Sequence, residues 1–250
     1  MTIPVSRDYP ESPIGSVLFK VLFYLWTVMM LLVALPALIL PKSVLFRAAR
    51  FWARGILVIM RVTLGTKVFI SGREHRPRGT GLLAVKHQSP WETIIFFLEC
   101  ERPVFILKQE LIRLPLFGIY AQHMGMIAVD RSGGARALKA MLGKAKAAYA
   151  AGSTLIIFPE GTRGDVGKRY AYQPGVAALA KYIGAPVVPV GLTSGLVWSR
   201  NGPMRRGGRI DMAYGSQIPP AANKAEMLQA IETAVEGLTA NLINQPEDGT

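Results

Sequence analysis

Cysteine is nearly missing from these 250 residues: Cys100 stands alone, in an apolar setting. One cysteine excludes an internal disulfide framework and any multi-cysteine metal centre within the chain. It permits a reducing compartment, and its simplest role is that of a small buried side chain. Histidine is scarce, with three residues, and acids number 16 against 29 bases, a net charge of +13. Such a balance attracts polyanions: nucleic acid, anionic lipid head groups or phosphorylated substrates. Nucleic acid fits poorly, because the bases are scattered and aromatic residues do not interleave with them as stacking requires. No GxSxG stretch offers a serine nucleophile. No repeat or low-complexity linker breaks the chain, and half of its residues are hydrophobic, which excludes wholesale disorder.

What the chain does have is a long uncharged run near its start. Val21 to Leu40 holds twenty residues without a charge, about the length a helix needs to cross a bilayer core. It is too long for a signal-peptide core, and no small-residue cleavage site follows it. Lys42, Arg47, Arg50 and Arg54 come next, and positive charge beside a span favours the cytoplasmic side. Pro36 could instead bend the run so that it dips and returns, and the apolar stretch after it, Phe51 to Met60, is interrupted by Arg54 and suits an interface. A single crossing, a re-entrant or surface helix pair and a buried helix all remain open. We place an N-terminal membrane-associated segment at 1–62 and a second domain at 63–250, whose loops carry the candidate chemistry.

From Thr66 onward the texture is α/β. Strands are expected at Thr66–Ser71, Leu82–Val85, Val104–Lys108, Gly125–Val129, Thr154–Phe158, Val187–Leu192 and Ile210–Tyr214. Helices are expected at Arg136–Ala150, at Val176–Ile183 and from Asn223, whose cap partner is Glu226. Alternating strands and helices imply a mixed, mostly parallel sheet covered by helices on both faces. Sites in such sheets gather where strands end and loops begin.

Those loops carry unusual residues. After the second strand comes His87-Gln88-Ser89-Pro90-Trp91-Glu92. Ser89, Pro90 and Glu92 read as a capping box at a helix start, so Glu92 is either a cap or the carboxylate partner of His87, or both, since it has two oxygens. Lys108 ends the third strand, Arg131 follows the fourth, and Pro159-Glu160-Gly161-Thr162-Arg163 follows the fifth. Three cations with the amides of a glycine turn have the chemistry of a phosphate site. A histidine–carboxylate pair without a protein nucleophile suits direct activation of a substrate hydroxyl. Lys86, just before His87, has no evident place in this scheme.

With these blocks in order, the chain resembles the glycerolipid acyltransferases, in particular the bacterial enzymes that acylate 1-acylglycerol 3-phosphate. The first block is His87 to Glu92, the second Gly125 to Arg131, the third Phe158 to Arg163 and the fourth Val187 to Gly191; the likeness runs from about Thr66 to Gly191. Glu92 stands where the family pattern usually has aspartate. The resemblance implies transfer of an acyl group from acyl-CoA or acyl carrier protein to the sn-2 hydroxyl of lysophosphatidic acid, with no cofactor or metal. His87 would be the general base and Glu92 its partner. Lys108, Arg131, Glu160, Gly161, Thr162 and Arg163 would form the phosphate site, with Glu160 orienting an arginine or touching glycerol. Pro189 and Val190 would line or support the acyl site. A bacterial inner-membrane location facing the cytoplasm follows from the same likeness. Another acceptor (glycerol 3-phosphate, a lyso-ornithine lipid or another lysophospholipid) keeps the chemistry, and a non-catalytic basic membrane-binding protein is the reading from a different class.

Overall fold

A computed structural model describes residues 7–130 and 132–245. Two long helices come first, α1 (Pro13–Val33) and α2 (Lys42–Leu64), joined through a short 3-10 turn at Leu35–Ile39. Then follow β1 (Lys67–Ser71), β2 (Gly81–Val85), α3 (Trp91–Glu99), β3 (Pro103–Lys108), α4 (Phe117–Met124), β4 (Ile127–Val129) and α5 (Gly134–Ala150). The chain continues with β5 (Thr154–Ile157), α6 (Gly175–Ile183), β6 (Val188–Leu192), β7 (Arg209–Tyr214) and α7 (Lys224–Asn244).

The seven strands form one sheet in the order β1-β7-β6-β2-β5-β3-β4. Every pairing is parallel except β6 with β7. The central strands β2, β5 and β6 are buried throughout, which is why they read as continuous apolar runs rather than alternating ones. Side-chain parity sorts them into two cores. Leu83, Val85, Ile156 and Val190 face α1, α2 and α3. Leu82, Ala84, Leu155 and Ile157 face α5, α6 and α7. Gly191 permits the close approach of α7, since a Cβ there would stand 2.6 Å from that of Leu238 and 2.7 Å from the amide of Thr239. Cys100 is buried, and that burial pushes its thiol up to about 12, an unreactive side chain.

The fourth strand is shorter than its apolar run implies. Gly125 sits at φ 83 as the left-handed end of α4, and the strand begins only at Ile127. The boundary drawn at residue 62 falls inside α2, which runs on to Leu64 and stops at Gly65, also left-handed.

Among the described residues, α1 is the helix long and apolar enough to cross a membrane. At about 1.5 Å per residue it is about 30 Å long, so a crossing would carry one of its ends far from the α/β unit. Both ends rest on that unit instead. Near its start, the Ser12 amide donates to the Met204 carbonyl at 2.9 Å and the Phe19 ring meets Trp198 edge-on at 5.0 Å. Near its end, the Tyr120 hydroxyl on α4 donates to the Leu31 carbonyl. Trp26 seals α1 to α2 by lying over Gly55 and donating to the Trp52 carbonyl. The two helices therefore pack as a pair against the α/β unit. Its outer side is apolar, with Val17, Tyr24, Leu25, Val28 and Val33 all exposed.

Candidate active site

β2, β5, β3 and β4 are parallel neighbours, so their carboxyl ends open on the same edge of the sheet. The loops singled out by composition all begin there, as expected of an open α/β sheet. At the end of β2, Lys86 still takes part in the ladder through its amide and the Val190 carbonyl, 3.0 Å apart. The parity of the strand then sends Lys86 toward α7 and His87 toward α3.

The His87 ring lies flat on Phe158, with centroids 4.1 Å apart and planes at 21°, and Phe158 in turn stacks on Phe105. This apolar floor fixes one face of the imidazole. The side chain keeps 14% exposure, enough for a reacting group to reach it. Its backbone is held on both sides. The His87 amide donates to Glu160 Oε1 at 2.9 Å, and its carbonyl accepts from the Gly164 amide at 2.8 Å.

Glu92 is fully buried, and its two oxygens do both of the jobs that the capping pattern left open. The amides of Gln88 and Ser89 and the Ser89 hydroxyl all donate to it, while Ser89 Oγ accepts from the Trp91 amide at 3.0 Å. These bonds tie Ser89 to the helix start as the capping pattern implied, although the helix itself begins only at Trp91, after Pro90. Oε1 also lies 3.7 Å from His87 Nδ1, an ion-pair separation longer than a hydrogen bond. Nδ1 is buried and has no hydrogen-bond partner among the described residues. Burial alone would raise the Glu92 carboxyl, but the imidazole and the two amides outweigh it and hold the group below the usual glutamate range. The site thus contains a fixed negative charge aimed at one ring nitrogen.

The third block forms a turn with Gly161 at φ 69, a left-handed conformation that glycine adopts without strain. Thr162 is half-buried and Arg163 exposed on the turn. Lys108 is exposed at the end of β3, two strands from β2. Neither cation makes an ion pair among the described residues, and the Arg163 carbonyl holds the Arg200 guanidinium at 3.0 Å. Arg131 lies outside the described residues.

Glu160 corrects the sequence reading. Among the described residues, its carboxylate meets no arginine, and it is shut off from open space. The side chain is 0% exposed and points inward, with Oε2 3.2 Å from Lys86 Nζ. Lys86 Nζ also lies 2.7 Å from Glu236 Oε1 on α7, and Tyr172 donates to that same oxygen at 3.0 Å. Pro189 and Val190 are buried inside β6, paired with Ala84 and Val85, and brace the end of β2. Lys86, Glu236 and Tyr172 were not proposed as functional residues. The signals were a lysine directly after a buried strand and a glutamate beside the Met227, Ile231, Val235 stripe of α7.

The Acyltransferase family model matches residues 67–193. The 1-acyl-sn-glycerol-3-phosphate acyltransferase of Pseudomonas aeruginosa is 33% identical over 178 residues, covering 71% of this chain and 69% of that protein. The protein of the same name from Borreliella burgdorferi is 31% identical over 130 residues, covering 51% and 52% of the two chains. Among solved structures, the 1-acyl-sn-glycerophosphate acyltransferase PlsC of Thermotoga maritima superposes with a TM-score of 0.77 at 20% identity, covering 94% of this chain and 99% of that one. At that identity the superposition speaks for the fold.

Proposed function

Because the chain belongs to the acyltransferase family, we propose that it moves a fatty acyl group from a phosphopantetheine thioester, on coenzyme A or acyl carrier protein, to the sn-2 hydroxyl of 1-acyl-sn-glycerol 3-phosphate, giving phosphatidic acid. The observation that carries this reading is the His87–Glu92 pair, 3.7 Å apart at the carboxyl edge of the sheet, with Lys108 at the end of β3 and Arg163 in the loop after the neighbouring β5, neither ion-paired among the described residues.

In the reaction, the neutral His87 ring accepts the proton of the lipid hydroxyl as its oxygen attacks the thioester carbonyl. The Glu92 carboxylate stabilises the imidazolium that forms. Closing the gap to Nδ1 by under 1 Å would make a charge-assisted hydrogen bond, a tightening common when substrate arrives. The tetrahedral intermediate collapses, the C–S bond breaks, and the imidazolium proton goes to the departing thiolate. Lys108, Arg163 and the Gly161 turn hold the acceptor's phosphate. The apolar outer side of α1 lies on the bilayer's cytoplasmic leaflet, where the lipid acceptor resides.

The test is transfer of a labelled oleoyl group from acyl-CoA, and separately from acyl carrier protein, to lysophosphatidate by purified protein in mixed micelles. Labelled phosphatidate is the expected product, and its absence with both donors would refute the reading. Arg163→Ala should raise the apparent KM for lysophosphatidate by about 10-fold or more, the usual scale of a lost charge-assisted bond, with the KM for the donor little changed. Equal effects on both would remove Arg163 from the phosphate site.

A further inference from the structure

Behind the His87 loop, a line of buried ionic contacts crosses the core to α7. It runs from the His87 amide to Glu160 (2.9 Å), from Glu160 to Lys86 (3.2 Å), from Lys86 to Glu236 (2.7 Å), and from Glu236 to the Tyr172 hydroxyl (3.0 Å). Lys86 is 1% exposed and also donates to the Lys168 carbonyl at 3.5 Å. Glu236 closes the line, beside a cavity of about 450 Å³ that it lines with Arg169, Glu232 and Gln229. Neither Lys86 nor Glu236 has a part in the transfer chemistry above.

We infer that Lys86 and Glu236 are positioning residues, which set the orientation of the Glu160 carboxylate and through it hold the His87 backbone where its ring can take the acceptor's proton. The inference rests on His87 being the base of the proposed transfer.

The argument is one of direction and charge. Apolar side chains could fill this space at less cost, since burying ions is expensive even when they are paired. What the ionic line adds is geometry: each carboxylate plane is fixed by a charge-assisted bond on either side. Glu160 accepts most strongly from Lys86 on one oxygen and from the His87 amide on the other while it is ionised. A proton on either oxygen removes the charge and one of its lone pairs, so it weakens both bonds and loosens the fixed plane. One ammonium stands between two buried carboxylates, and the balance is close. Burial pushes Glu160 up to about 7, against the pull of Lys86 and the His87 amide and with the help of Glu236. Burial likewise keeps Tyr172 a neutral phenol and donor. The charged groups facing Glu160 are therefore Lys86 and Glu236, with Arg169 and Glu232 further out across the cavity.

The experiment compares Glu236→Gln with Glu236→Leu in the full-length protein in detergent. The glutamine keeps an acceptor for Lys86 and Tyr172 and removes the charge; the leucine removes both. Glu236→Leu should lower kcat by about 10- to 100-fold, the scale of a misplaced catalytic group, with the KM of both substrates unchanged. Glu236→Gln should keep the plateau kcat within about 3-fold of wild type while moving the acid limb of the rate profile down by about half a pH unit or more. With three histidines in the chain, NMR of labelled histidine can follow the His87 ring separately. Its titration midpoint should move less than the limb does. A folded Glu236→Leu protein with wild-type kcat, indistinguishable leucine and glutamine variants, or a limb that simply tracks the His87 ring would each overturn the inference. If Glu236→Leu does not fold, the limb and ring of Glu236→Gln decide alone. A wild type that transfers no acyl group refutes the proposed function instead. The positioning is then judged by the His87 amide signal, which should follow the Glu160 titration in wild type and shift with it in Glu236→Gln; an amide indifferent to the substitution ends the inference.

Discussion

Glu92 is a helix cap and an imidazole partner at once, and a single substitution separates the two. In Glu92→Gln the side-chain carbonyl can accept from one backbone amide, but the charge opposite His87 is gone. We expect kcat to fall about 10- to 100-fold, within the usual worth of an acid–base pair. The lost charge-assisted bonds should cost about 1–3 kcal/mol, or several degrees in melting temperature. The folded-state value of Glu92 lies below its unfolded value. Its stabilisation is therefore present above the unfolded value and disappears as pH falls through the folded one. The melting-temperature gap between wild type and Glu92→Gln should accordingly narrow as pH falls below about 4.5; a gap that widens there would show that the carboxylate is not stabilised in the fold. At this scale the sequence was informative about His87 and Glu92, because five residues of local spacing bring them together. It was silent about Lys86, whose partner Glu236 is 150 positions away, and it misplaced Glu160, because the turn after β5 and the buried Lys86, not spacing, direct that carboxylate inward.

The long apolar run was legible as a helix, but its relation to the rest of the protein was not, since length alone suits a crossing and a surface helix equally. The contacts at both ends of α1, with Met204 and Trp198 at one and Tyr120 at the other, tie the helix along the α/β unit and favour the surface reading proposed above. The outward residues Val21 and Leu25 are 49% and 63% exposed. Replacing both by lysine should leave the melting temperature unchanged, because neither is core. Co-sedimentation with neutral vesicles should drop about 10-fold or more, given about 0.8 kcal/mol for each buried methylene lost from the lipid contact. Unaltered vesicle binding would show that this side of α1 does not meet lipid. The eight-residue α4 escaped the sequence reading because it has fewer than three turns of periodicity, and its closing Gly125 was taken into the following strand.

Across the whole molecule, the strands of the central sheet could be read directly, since β2, β5 and β6 are unbroken apolar runs between turn residues. Their order could not. Placing β5 between β2 and β3, and β7 antiparallel to β6 at the side of β1, depends on long-range packing that a single sequence does not display. That order is what brings the ends of β2, β5 and β3 to one edge, with the histidine on one and cations on the others. The central claim, that His87 is the base for an acyl transfer to a lipid hydroxyl, is tested most directly by steady-state kcat of purified His87→Ala with saturating thioester and lysophosphatidate. The ring is 14% exposed and stacks on Phe158 beside the buried Glu92, so its loss should cost some stability; measured where the variant is folded, its kcat should be lower by about 100-fold or more. A folded His87→Ala protein that turns over within a few fold of wild type would contradict the account.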